Sequence, residues 1–98
     1  METAIGRPTM IPHEIGKEFK TFRVSGKKRM EMPDHISTKE AVVMIKKGKA
    51  LLKIDGEEQE LNEGELHIIP AGKPHSLLLL EDFEAYALMQ KVSEIEFI

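Results

Sequence analysis

The sequence predicts an all-β sandwich or barrel. Three observations carry that expectation. About seven or eight short apolar or alternating runs are separated by turn signals roughly every 8–12 residues. No segment shows a sustained apolar stripe at helical spacing. Asp55-Gly56, the favoured dipeptide of a tight hairpin, lies directly between two such runs, because both residue types tolerate positive φ.

Taken in order, the first third is irregular and is punctuated by Gly6, Pro8, Pro12, Gly16 and Gly26. Within it, Phe19 to Val24 alternates as a strand of mixed polarity, and Arg29 to Met32 is a second short candidate. Pro33-Asp34 is expected to break the chain. Ala41 to Ile45 is apolar and rich in β-branched residues, as in a buried strand, and Lys46-Lys47-Gly48 turns it. Ala50 to Ile54 and Glu57 to Leu61 flank the Asp55-Gly56 hairpin, and Asn62-Glu63-Gly64 makes the next turn. Leu66 to Ile69 is closed by Pro70 and Gly72. His75 to Leu80 and Phe83 to Lys91 complete the set, separated by Glu81-Asp82. The expected organisation is therefore an N-terminal arm with an edge strand over 1–29, a barrel over 30–92 and a tail over 93–98 that packs at a dimer interface.

A chain of 98 residues has room for a single domain. Hydrophobic residues at 41% and charged residues at 32% are an ordinary globular balance. The net charge of −3, without a basic block, argues against a nucleic-acid partner. The lack of cysteine removes disulfides, thiolate metal sites and cysteine nucleophiles. No apolar run approaches the roughly 20 residues that span a bilayer. Met1 to Met10 contains Glu2, Arg7 and Pro8 and has no apolar core of a secretory signal, so a cytoplasmic location without membrane contact is the expectation.

Residues 64 to 75 read Gly64-Glu65-Leu66-His67-Ile68-Ile69-Pro70-Ala71-Gly72-Lys73-Pro74-His75. Their chemistry is legible: Gly64 opens a strand from a tight turn, and Pro70 ends it where no ladder N–H is needed. Gly72 permits a reversal with positive φ. His75 then begins the next strand with its imidazole free to face a cavity. This stretch resembles the second signature of the cupin superfamily, in which a histidine and, four positions further on, an asparagine follow the glycine–proline–glycine frame. Gly64, Pro70, Gly72 and His75 match, whereas the asparagine slot holds Leu79. The first cupin signature, anchored on Gly48, matches only at His35. Its second histidine slot is Ser37 and its glutamate slot is Ala41. The stretch from His35 to Ala41 also resembles a subgroup of small bacterial cupins in which a lone histidine is followed, five residues on, by an acid and an alanine.

The resemblance covers roughly residues 30–90 and implies a double-stranded β-helix, a jelly-roll barrel of two antiparallel sheets. It implies a small polar molecule as ligand in a pocket at His35 and His75, with Met44 and Tyr86 as further candidates. A divalent metal (Zn, Ni, Fe or Mn) is the candidate cofactor, held by His35 and His75. Glu40 or His67 would then be the third ligand, although Glu40 lies one residue out of register and should point away from the cavity. Either a binding protein, a metal-dependent oxygenase or isomerase, or a metal-free epimerase using His75 as acid and base fits this pattern. Small cupins commonly pair through one sheet, so a homodimer is expected through the outer faces of 42–45 and 77–80 and the tail Ile95 to Ile98.

Overall fold

The computed structural model describes residues 6–98. Residues 1–5, the start of the expected N-terminal arm, lie outside the described residues. Among the described residues there are ten strands and no helix. They are β1 (Thr9–Ile15), β2 (Phe19–Gly26), β3 (Glu31–Ser37), β4 (Ala41–Lys47) and β5 (Lys49–Ile54), then β6 (Glu57–Asn62), β7 (Leu66–Ile69), β8 (His75–Leu79), β9 (Phe83–Gln90) and β10 (Ile95–Phe97). Among the described residues no helix is long and apolar enough to cross a membrane.

Two five-stranded sheets form, in the orders β1-β2-β9-β4-β7 and β10-β3-β8-β5-β6. Neighbouring strands are antiparallel throughout. The inner faces meet in one core. β9 shows how: Phe83, Ala85, Ala87 and Met89 are buried, while Glu84, Tyr86, Leu88 and Gln90 face outward, the two-residue period of a strand with one covered face. Ile45, Leu61 and Leu79 are wholly enclosed between the sheets, each 1% exposed. The Asp55-Gly56 hairpin forms as expected, with φ of 54° and 74°. Gly72 takes φ of 72° between β7 and β8.

Three expectations need correction. Thr9–Ile15 is a strand that the sequence hides, because Pro12 interrupts it and its faces are mostly exposed. It survives as an edge strand, where a missing N–H is tolerated, and its register shifts between Pro12 and Glu14. The pair Pro33-Asp34 does not break the chain but lies inside β3 as a bulge: the pairing passes from Met32↔Leu77 to His35↔His75. No strand is expected beyond Lys91, yet Ile95–Phe97 forms one. β10 pairs with β3, with Phe97 opposite His35.

Candidate functional site

The Pro33-Asp34 bulge is what builds the site. Without it, His35 would lie one residue out of step and face solvent, since side chains alternate along a strand. With one extra residue on β3, His35 sits directly opposite His75 on the inner face. The two imidazole centroids are 4.2 Å apart, and both rings are buried.

Each ring is held from one side. The Nδ1 of His35 lies 2.7 Å from the Pro33 carbonyl oxygen, and the Nδ1 of His75 lies 2.9 Å from that of Lys73. A carbonyl oxygen only accepts, so both Nδ1 atoms carry the hydrogen and donate. Both Nε2 atoms therefore keep a lone pair, and neither has a hydrogen-bond partner among the described residues. Ser37, two residues along β3 from His35, is buried on the same face. Its hydroxyl makes no hydrogen bond to another protein atom.

These three polar groups line an internal cavity of about 70 Å³. The rest of its wall is apolar, including Met32, Leu52, Ala41, Ala85, Ala87 and Met89. The space exists because β4 and β9 present alanines toward the histidines, where larger side chains would fill it.

Burial pushes the His35 imidazole below its ordinary pKa of 6.5. The hydrogen bond to Pro33 and the Asp34 charge oppose that effect, and the neighbouring His75 reinforces it. The neutral ring is thus the form the fold stabilises. Its contribution is complete above the unfolded value of 6.5 and is lost as pH falls through the lower folded value. Thermal melts should therefore show stability declining between pH 7 and pH 5, and less so in His35→Gln. Glu65 does not blur that window. The Asn62 backbone N–H, and then His67, hold its carboxyl below the ordinary 4.5, so its loss comes at lower pH.

The other candidates fall elsewhere. Met44 and Tyr86 do not line the cavity. They pair with each other across β4 and β9 on the outer face, because Val43 and Ile45, Ala85 and Ala87 take the inward positions. The Tyr86 ring instead packs at a tilt against that of His13, with centroids 5.0 Å apart. Glu40 is exposed in the connection between β3 and β4. His67 sits at the seam between the edge strands β6 and β7. Its Nδ1 accepts from the Gln59 amide at 3.2 Å and its Nε2 donates to Glu65 at 2.8 Å, so both ring nitrogens are committed.

The family's metal ligands would fall at positions 35, 37, 41 and 75. All four positions do line the cavity, but they carry His, Ser, Ala and His. Among the described residues no group of three His, Cys, Asp or Glu gathers anywhere. Two imidazoles and a hydroxyl, with no carboxylate, do not fit a resident divalent transition metal, which takes three or four protein donors.

Sequence reasoning assigned Phe97 to a dimer interface and not to the site, whereas its ring lies 5.3 Å from His35 and under the Arg7 guanidinium at 4.8 Å. It also did not assign Ile95 and Met10 to the cavity, which they line from the two edge strands β10 and β1. The only sequence signal for these was the apolar alternation of Ile95 and Phe97.

A ten-stranded jelly-roll barrel with inward-facing histidines on two adjacent strands defines a class of small β-barrel domains. Residues 23–89 match the cupin domain family, and the chain belongs to it. Among solved structures, a conserved protein of unknown function from Streptococcus pyogenes is 28% identical, with a TM-score of 0.76, covering 87% of this chain and 75% of that one. An RmlC-like cupin protein from Desulfovibrio desulfuricans is 19% identical with a TM-score of 0.74, over 86% of this chain and 82% of the other. The salicylate 1,2-dioxygenase from Pseudoaminobacter salicylatoxidans shares the fold at 12% identity and a TM-score of 0.80. It matches 91% of this chain but only 30% of its own. Among curated proteins none matches the chain significantly.

Proposed function

We propose that this protein is a binding-type cupin whose barrel pocket takes a small molecule, largely apolar with a polar head, without a resident metal. The observation that carries the reading is the group His35, His75 and Ser37: three buried side chains with hydrogen-bonding atoms turned to an otherwise apolar cavity. Buried polar groups are costly unless paired, so their retention here makes sense if a ligand completes them. No carboxylate lines the cavity to orient a histidine as acid and base, which favours binding over proton transfer.

The methionines supply the test. Met10, Met32 and Met89 line the cavity, whereas Met44 faces outward and serves as internal reference. With methyl-labelled methionine, a panel of alcohols, amides, ketones and carboxylic acids of up to about six heavy atoms is expected to include compounds that shift the cavity methyls and leave Met44 unmoved. A panel that moves none of the three would overturn the reading. So would near-stoichiometric metal in chelator-free protein that is lost in His75→Ala.

A second copy of the chain is the partner we assign to the outer face of the first sheet. Leu66 and Ile68 are 67% and 65% exposed there. They pair with Met44 and Val42, which in turn neighbour Tyr86 and Leu88. The result is one contiguous apolar patch, with the Arg23–Glu84 ion pair and Lys46 at its rim. An apolar centre with a charged rim suits a self-complementary two-fold interface. The second sheet's outer residue Leu78 is already half-buried and offers less. Sedimentation equilibrium is expected to give two chains per particle for the parent and one for Ile68→Lys; a monomeric parent would rule the pairing out.

A further inference from the structure

The polar end of the cavity has a specific donor and acceptor content, and that content narrows the ligand. Both Nδ1 hydrogens are spent on the Pro33 and Lys73 carbonyls, so the two histidines offer the cavity only lone pairs, at Nε2. With ring centroids 4.2 Å apart, the two acceptors lie within reach of one small group. Ser37, 4% exposed and without a partner, adds a hydroxyl that can donate. Two acceptors and one donor are the complement of a group with two N–H hydrogens and one carbonyl oxygen.

We propose that this end of the pocket recognises an uncharged primary amide or urea-type headgroup. The –NH2 donates to Nε2 of His35 and of His75, and the carbonyl oxygen accepts from Ser37. The proposal rests on the reading of this cavity as a ligand site. Charged alternatives fit less well. A carboxylate has the cavity's shape but no hydrogen for the two lone pairs, and it would enter an apolar space with no cationic side chain in its wall. An ammonium group would find no counter-charge there. The alanine-lined remainder leaves space for a short alkyl chain beyond the headgroup.

The experiment compares three probes of nearly one shape: propionamide, butanone and propionate. Each is titrated into the unmodified protein while the Met10, Met32 and Met89 methyls are followed, with Met44 as reference. Propionamide is expected to bind with a dissociation constant on the order of 1 mM, as suits so few heavy atoms. Butanone, which keeps the carbonyl but lacks both N–H donors, should bind about tenfold more weakly, because the imidazole lone pairs go unpaired. Propionate should bind more weakly still. Ser37→Ala should weaken propionamide and butanone alike, and His75→Phe propionamide alone. Butanone or propionate binding as tightly as propionamide overturns the headgroup assignment and leaves the pocket reading standing. If none of the three shifts the cavity methyls while another small compound does, the assignment again fails alone. If no compound of any class shifts them, both readings fail together. Because the central comparison uses the parent protein, it does not depend on either variant folding.

Discussion

Gly48→Ala is expected to destabilise the protein by about 3 kcal/mol, a fall in Tm of roughly 15 °C for a domain this size. Gly48 is the sole residue between β4 and β5, and it carries the chain from one sheet to the other. Its φ is 85°, a conformation that costs an L-residue about 1 kcal/mol or more. A methyl group there would also run into the Asp82 carbonyl oxygen and come within 3.2 Å of the Phe83 Cα. Both are backbone atoms that cannot rotate away. The neighbouring strands hold them in place, since the Lys49 carbonyl accepts from the Leu80 N–H at 2.9 Å and Lys47 pairs with Glu84. Gly56→Ala is the control. That glycine also has positive φ, at 74°, but a β-carbon there would meet nothing within 4 Å. It should cost about 1 kcal/mol. Urea unfolding of both variants separates the two contributions. If Gly48→Ala costs no more than Gly56→Ala, the close approach of the Asp82 backbone is not what the corner depends on.

Leu79→Asn should cost about 4 kcal/mol, although it would restore the residue that the second cupin signature has at this slot. Leu79 is 1% exposed and sits at the inner end of β8. Its Cδ1 packs over Gly26, where a β-carbon would lie only 2.8 Å from it. Replacing it removes most of a buried leucine's transfer energy and leaves an amide among apolar neighbours such as Phe83. The backbone bonds on either side, Arg29 N–H to the Leu79 carbonyl and Leu79 N–H to the Met30 carbonyl, do not depend on the side chain. Leu79→Met, of similar volume, should cost about 1 kcal/mol. Chemical denaturation that finds the asparagine variant as stable as the methionine variant would show that this slot still tolerates the polar residue. In this chain the slot has become part of the core.

Several features were legible because they are local. Asp55-Gly56 turns as its φ preferences require, and the frame from Gly64 through Pro70 and Gly72 to His75 delivers a histidine to the start of β8. The continuous apolar run at 41–45 announced a central strand, and β4 is hydrogen-bonded on both sides. The period of two was also enough to place Tyr86 outward, once Phe83 and Met89 are taken as core. Met44 follows from Ile45 in the same way. Assigning Met44 and Tyr86 to the pocket overlooked that alternation.

The remainder depended on contacts distant in sequence. Residue chemistry and spacing along the chain determined an all-β chain, its hairpins, the cupin signature and the two histidines worth watching. Whether His35 faces inward depended on a one-residue bulge against β8, and a bulge is a property of a strand pair, not of either strand alone. β1 could hold Pro12 only because tertiary pairing left it at an edge. The cavity is a packing outcome: small residues on β4 and β9 come to lie opposite β3 and β8 across the barrel, which no local pattern specifies. Hydrogen bonds then left both Nε2 atoms as acceptors, converting two histidines in a list of residues into a site with a defined donor and acceptor content.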